Sequence, residues 1–117
     1  MSSIENIKPT PELAEWSDCE LGVLIHYGIT SYAGVFDAEA FTENPPLPAL
    51  VNPESLDTDE WVRIAKEAGA KYALLVAQHG TGFALWPTDA HDYSIKHSPY
   101  KNGKGDIVAD FIKSCEK

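Results

Sequence analysis

Lys71-Tyr-Ala-Leu-Leu-Val-Ala-Gln-His79 is the stretch that decides the fold class. Up to Ala77 it runs apolar without alternation, as strands do when both of their faces are covered. Gly22-Val-Leu-Ile-His26 follows the same plan, since it is a short apolar run that ends at a histidine and is closed by a turn. The two runs therefore predict buried strands, and they exclude burial of one face alone.

An amphipathic helix follows each predicted strand after a long irregular segment. The first helix begins at a cap on Asp57 or Thr58 and ends at Gly69, and its inward stripe is Trp61, Ile64, Ala65 and Ala68. The second follows Asp106, and its apolar stripe is Ile107, Val108, Phe111, Ile112 and Cys115. This order predicts two βα units with parallel strands in an α/β fold.

Parallel pairing brings the carboxyl ends of both strands, with His26 and His79, to one edge of the sheet. In α/β folds this is the edge where ligands bind. Two strands alone are marginal in water, and each leaves an unpaired edge. Further strands must therefore complete the sheet.

Composition narrows the classes of partner. The 117 residues carry 9 Lys plus Arg against 18 Asp plus Glu, a formal net charge of −9. Nucleic acid and anionic membrane surfaces are unfavourable partners for such a field. No apolar run approaches the roughly 20 residues of a membrane span.

The start, Met1-Ser-Ser-Ile-Glu-Asn6, lacks the pattern of a secretory signal and predicts a cytoplasmic chain. Cys19 and Cys115 predict thiols rather than a disulfide.

Other residues near the strand ends leave alternatives open. Imidazoles at two strand ends can bind a ligand, or each can be a hydrogen-bonded core residue. Aromatic residues beside them can form a wall against a sugar ring or simply pack the loops: Tyr27, Tyr32, Phe83 and Trp86. Asp89, His91, Asp92 and His97 can be read with His79 as metal ligands, but their spacing matches no standard zinc pattern, and a solvated polar loop is the alternative.

Several segments, in this order, resemble the N-terminal part of the α-L-fucosidase family, glycoside hydrolase family twenty-nine. They are Leu21-Gly-Val-Leu-Ile-His-Tyr-Gly28, Asp57-Thr-Asp-Glu-Trp-Val-Arg-Ile-Ala-Lys-Glu-Ala-Gly-Ala-Lys-Tyr72, His79-Gly-Thr-Gly-Phe-Ala-Leu-Trp-Pro87, Asp92-Tyr93 and Gly105-Asp-Ile-Val108. The resemblance implies that residues 1–117 form the N-terminal portion of a (β/α)8-type barrel with about two of its βα units.

The resemblance also implies an activity, the retaining hydrolysis of α-linked L-fucose from a fucosylated glycan or fucoside, with no metal or organic cofactor. His26 matches a histidine that contacts fucose hydroxyls, and His79 matches the first of two adjacent histidines with the same role. Trp86 matches a tryptophan near the pocket. An imidazole can donate to or accept from ring hydroxyls, and an aromatic wall suits a 6-deoxy sugar.

Two departures from the family pattern affect this expectation. Where the family usually has His-His-Asp-Gly-Phe, this chain has His79-Gly-Thr-Gly-Phe83, which should weaken hydroxyl recognition. The family's nucleophile and acid/base carboxylates lie on later strands, so the catalytic residues of this chain are unknown. We expect a homo-oligomer that completes the barrel and borrows a nucleophile from the candidates Glu43, Asp89 and Asp92.

Two other functions remain open. The first is a non-catalytic sugar-binding or scaffold remnant of the barrel, which is suggested by the missing carboxylates and by Gly80. The second is a metal-dependent hydrolase that uses His79 and His91. Loss of activity in the presence of a chelator would distinguish the second function from the fucosidase.

Overall fold

The computed structural model describes residues 7–34 and 43–117. The regular elements there are α1 (Pro11–Asp18), β1 (Gly22–His26), α2 (Thr30–Ala33), α3 (Thr58–Glu67), β2 (Tyr72–Val76) and α4 (Ile107–Glu116). Short 3-10 turns lie at Pro48–Leu50, Ile95–His97 and Tyr100–Gly103. The predicted order of strand, long loop and helix, repeated once, is confirmed.

Strands β1 and β2 pair in parallel, as predicted. The register runs from Gly22 opposite Tyr72 to His26 opposite Val76. Lys71 donates its backbone N–H to the carbonyl of Leu21 at 2.8 Å, which continues the contact ahead of the strands. A parallel pair with helices that follow each strand is compatible with a partial α/β barrel.

The prediction that both faces of the strands are covered is wrong for these residues. Leu24 is 63% exposed and its register partner Leu74 is 51% exposed, so one face of the pair is open at its centre. The inward stripe predicted for α3 is also incomplete, because Ile64 is 53% exposed. The physical reason is that two strands present apolar side chains that only further strands and helices can bury.

Beside this open face lies an apolar groove between β1 and α3. Its lining consists almost wholly of aliphatic and aromatic side chains: Val23, Leu24, Ile25, Trp61, Ile64, Ala65 and Ala68. No residue of β2 lines the groove, and among the described residues β1 pairs only with β2, so unpaired backbone and apolar surface occur on the same strand. Such an edge is a template for pairing with another strand.

The hydrophobic core lies beyond the carboxyl ends of the strands, among the loops. Its buried members are Ile29, Val51, Phe83, Leu85, Ile95, Tyr100 and Ile107. Within the core, Leu85 connects the end of β2 to the start of α4. Its backbone N–H donates to the carbonyl of Ala77, and its carbonyl accepts from the backbone N–H of Ile107, both at 3.0 Å. The long second loop is therefore packed structure that fixes the end of β2 against the start of α4.

The predicted cap of α3 is confirmed at Asp57, α4 has an equivalent cap at Asp106, and a polar cluster joins the two helices. Asp57 accepts from the backbone N–H of Glu60, and Asp106 caps α4 in the same way. Between α3 and α4, the buried hydroxyls of Thr58 and Ser114 lie 2.8 Å apart. Ser114 also donates to Asp59 at 2.5 Å, and Lys117 bonds the same carboxylate. Lys117, followed by Ser114, holds the pKa of Asp59 below its usual value.

The described residues also show whether a helix could span a membrane and whether the cysteines are paired. Within residues 7–34 and 43–117, no helix has the length and apolar character needed to cross a membrane. Cys19 and Cys115 are free thiols. Cys19 is partly buried and Cys115 is exposed.

Candidate functional site

The two strand-end histidines meet. Nδ1 of His26 lies 3.0 Å from Nε2 of His79, and the ring centroids are 5.3 Å apart. His26 is the last residue of β1, whereas His79 follows β2 after a two-residue extension. The predicted convergence at one edge of the sheet is therefore confirmed, and it reaches hydrogen-bond contact.

The contact determines which polar atoms the pair presents. A hydrogen bond between neutral imidazoles needs one ring nitrogen as donor and the other as acceptor. The outer nitrogens, Nε2 of His26 and Nδ1 of His79, must then be one acceptor and one donor, whichever tautomer each ring adopts. The pair is suited to two neighbouring hydroxyl groups that donate and accept in turn.

A tight turn holds His79 in place. The backbone N–H of Gly82 donates to the carbonyl of His79 at 3.0 Å, and Gly82 has a left-handed φ of 82°. An isolated bridge between Gln78 and Ala84 closes the same turn. A side chain at position 82 would be strained, because non-glycine residues rarely adopt such a φ.

Gly28 lies next to the outer nitrogen of His79. Neither hydrophobic periodicity nor motif spacing predicts this contact. A Cβ built at Gly28 would lie 3.4 Å from Nδ1 of His79 and 3.8 Å from its Cε1. Gly28 is buried, and its carbonyl accepts from the backbone N–H of Ser31 at the start of α2. The signal in the sequence is only that a glycine follows the strand-end histidine by two positions.

The alternative of loop packing holds for three of the four aromatic residues. Phe83 is 2% exposed and packs edge-on against Tyr93, so it cannot present a face to a ligand. Tyr27 packs against Trp61, and its hydroxyl bonds that of Tyr32. Burial, followed by this hydrogen bond, raises the pKa of Tyr27.

Trp86, the fourth aromatic residue, is partly buried on the segment after the turn. Among the described residues, the Trp86 ring packs against no other aromatic ring, whereas the rings of His26 and His79 pack against each other. Its proposed place near the pocket stays a prediction.

The acidic and metal-ligand candidates lie elsewhere. Asp89 pairs with Lys96 at 3.1 Å, and Asp92 lies 3.6 Å from Nε2 of His97, with both carboxylates fully exposed. Glu43 is exposed as well. Across the described ranges, no three His, Cys, Asp or Glu side chains are grouped closely enough to share a metal ion. The solvated polar loop is therefore the interpretation that fits Asp89 and Asp92.

Comparisons with known proteins agree on one family. The family model described as alpha-L-fucosidase matches residues 2–117. Alpha-L-fucosidase 1 of Arabidopsis thaliana is 33% identical over 109 residues, which cover 93% of this chain and 21% of that protein. This chain thus spans about a fifth of that relative's length.

Solved structures give the same result at the level of the fold. A glycoside hydrolase 29 family member from an unknown rumen bacterium matches with a TM-score of 0.83 and 38% identity, over 92% of this chain and 19% of that one. An α-L-fucosidase from Bacteroides thetaiotaomicron matches with a TM-score of 0.70 and 26% identity, over 93% and 28% of the two chains. On the sequence match and these structural likenesses together, this chain belongs to the α-L-fucosidase family.

Proposed function

We propose that this chain is the sugar-positioning part of a retaining α-L-fucoside hydrolase, with His26 and His79 as the residues that bind the fucose unit. The observation that carries the proposal is the 3.0 Å contact between their ring nitrogens at the carboxyl edge of the sheet. Membership of the α-L-fucosidase family supports L-fucose as the sugar. Two imidazoles fixed by each other lose little freedom on binding, which favours affinity.

Hydrolysis needs carboxylates at a defined distance, and these are the part that further βα units supply. A retaining glycosidase holds its two carboxyl groups about 5 to 5.5 Å apart. Asp89 and Asp92 are engaged instead with Lys96 and His97, at 3.1 Å and 3.6 Å. We therefore assign binding to this chain and the chemical step to the completed barrel, which acts on a fucosylated glycan or fucoside.

The 117-residue chain on its own is proposed to self-associate. The open edge of β1 and the apolar groove beside it are the surface that pairs, together with Leu24 and Leu74. Burial of apolar surface contributes about 25 cal/mol per Å², so this face favours a second copy whenever no other strand covers it. Light scattering should give a mass above that of one chain, and a folded monomer would contradict self-association without touching the sugar site.

The binding proposal is tested by calorimetric titration of L-fucose into the chain and its variants. We expect saturable binding that His26→Ala and His79→Ala each weaken. His97→Ala is the matched control, because that histidine is exposed and its Nε2 lies 3.6 Å from Asp92. Equal affinity in all four proteins would remove the site.

An aryl α-L-fucoside, assayed with the same proteins, distinguishes an enzyme from a sugar-binding remnant. Turnover that disappears in the double variant His26→Ala, His79→Ala supports the hydrolase. Binding without turnover in an associated chain agrees both with the non-catalytic alternative and with a chemical step that needs further βα units.

A further inference from the structure

We propose that Gly28 is a specificity-determining residue of this site, because its missing side chain leaves room for a substrate hydroxyl group to reach Nδ1 of His79. This inference rests on the proposed function, in which Gly28 has no role. Gly28 would act by admitting the hydroxyl group, while His79 makes the hydrogen bond.

The first argument is the space itself. Apart from its two chain neighbours, the atoms of the described residues within 4 Å of a Cβ built at Gly28 are Nδ1 and Cε1 of His79. A buried side-chain atom usually meets many neighbours, since interiors are close-packed. Outside its own segment, the position therefore borders the outer side of the His79 ring.

The second argument is that the backbone does not require glycine at this position. Gly28 is absent from the glycines with positive φ, which are Gly34, Gly69, Gly82 and Gly103. A contact of 3.4 Å to an imidazole nitrogen is an ordinary van der Waals distance. Alanine should therefore fold normally at position 28, and its methyl group would occupy the space beside Nδ1.

The third argument concerns hydrogen-bond geometry. A hydroxyl oxygen must approach an imidazole nitrogen to about 2.7 to 3.2 Å. A methyl group already in contact with Nδ1 competes for that approach, whereas Nε2 of His79 remains bonded to His26. Only the outer hydrogen bond of the pair should be lost.

The double variant Gly28→Ala, His79→Ala provides the matched control. Without the imidazole of His79, a methyl group at position 28 has no Nδ1 to block, so it should leave the affinity of the His79→Ala protein unchanged.

The experiment is a calorimetric titration of L-fucose into wild type, Gly28→Ala, His79→Ala and the double variant Gly28→Ala, His79→Ala. We expect Gly28→Ala to raise Kd about tenfold, the scale of one lost hydrogen bond. In the His79→Ala background, Gly28→Ala should add no further loss, which an effect on general stability would not produce.

The outcomes separate this inference from the proposed function. If His79→Ala weakens binding while Gly28→Ala binds as tightly as wild type, the role of Gly28 is overturned and the histidine site stands. If His79→Ala has no effect, both are overturned. Should Gly28→Ala fail to fold, nuclear Overhauser effects decide in the wild type: contacts from Gly28 Hα to bound L-fucose support the role, and their absence at saturation overturns it.

Discussion

The aromatic ring of Tyr72 occupies the space that a side chain on Gly22, its partner across the sheet, would need. A Cβ at position 22 would lie 2.1 Å from Cζ of Tyr72, far inside contact distance. The ring is also packed against Trp16 of α1, with 5.9 Å between centroids. Gly22 therefore lets the first strand approach the second while α1 covers the same ring.

Gly22→Ala should destabilise the chain, because the Tyr72 ring must move and its contact with Trp16 is then disturbed. Overpacking of this kind costs about 1 to 3 kcal/mol. Urea unfolding followed by circular dichroism measures the change, with Gly80→Ala as the control in open space. If Gly22→Ala unfolds at the same urea concentration as Gly80→Ala, the close approach of the two strands is incorrect.

The hydroxyl pair between α3 and α4 supports a second prediction. Thr58 is 7% exposed and Ser114 is 5% exposed, and their oxygens lie 2.8 Å apart. Ser114→Ala leaves Thr58 with an unpaired buried hydroxyl and should cost about 1 to 3 kcal/mol. The double variant Thr58→Val, Ser114→Ala should cost less than the sum of the two single changes. Strict additivity in the same unfolding assay would mean that the two hydroxyls do not interact.

Local rules predict much of this fold. The apolar run Gly22–His26 forms β1, and Asp57 caps α3, as predicted. Both features could be predicted because they depend on residues that are neighbours in the chain. The exposure of Leu24 and Leu74 could not be predicted, since an apolar run does not show which other elements cover it. Burial is set by tertiary neighbours, and the periodicity of one strand does not reveal them.

In the candidate site, too, some features could be predicted from the sequence and others depend on tertiary contacts. Parallel pairing was enough to bring His26 and His79 to one edge, whereas their hydrogen bond depends on the turn that Gly82 closes. Residue type alone suggested that Phe83 faces a ligand. It is a core residue instead, because the long loop folds back and buries it against Tyr93.

Alkaline pH should unfold the chain, and Tyr27 should contribute to this effect. Burial and the hydrogen bond to Tyr32 raise the pKa of Tyr27 in the folded state. The resulting stability is fully present below the unfolded value of about 10 and is lost as the pH rises toward the folded value. Tyrosinate absorbance and circular dichroism should therefore change together above about pH 10. Tyr27→Phe should flatten this pH dependence, and an unaltered slope would contradict the assignment.

A new imidazole at position 80 should strengthen sugar binding. The family pattern has a second histidine there, and Gly80 has both an ordinary φ and open space around its Cβ among the described residues. Gly80→His should thus leave the unfolding midpoint unchanged and add one hydrogen bond, worth about 0.5 to 1.5 kcal/mol. Calorimetry with L-fucose gives the affinity, for which Gly80→Ala is the control. An affinity no better than that of Gly80→Ala would show that position 80 does not face the sugar.

The most direct test of the account is the ¹⁵N imidazole spectrum of the chain during titration with L-fucose. The four histidines of the sequence provide their own controls, because His91 and His97 lie further along the loop after β2 and, among the described residues, have no ring contact with the pair. We predict that the ring nitrogens of His26 and His79 shift together and saturate at one sugar concentration, while those of His91 and His97 stay in place. Unchanged resonances for His26 and His79 at saturating sugar, or equal shifts for all four histidines, would contradict the claim that the strand-end pair binds fucose.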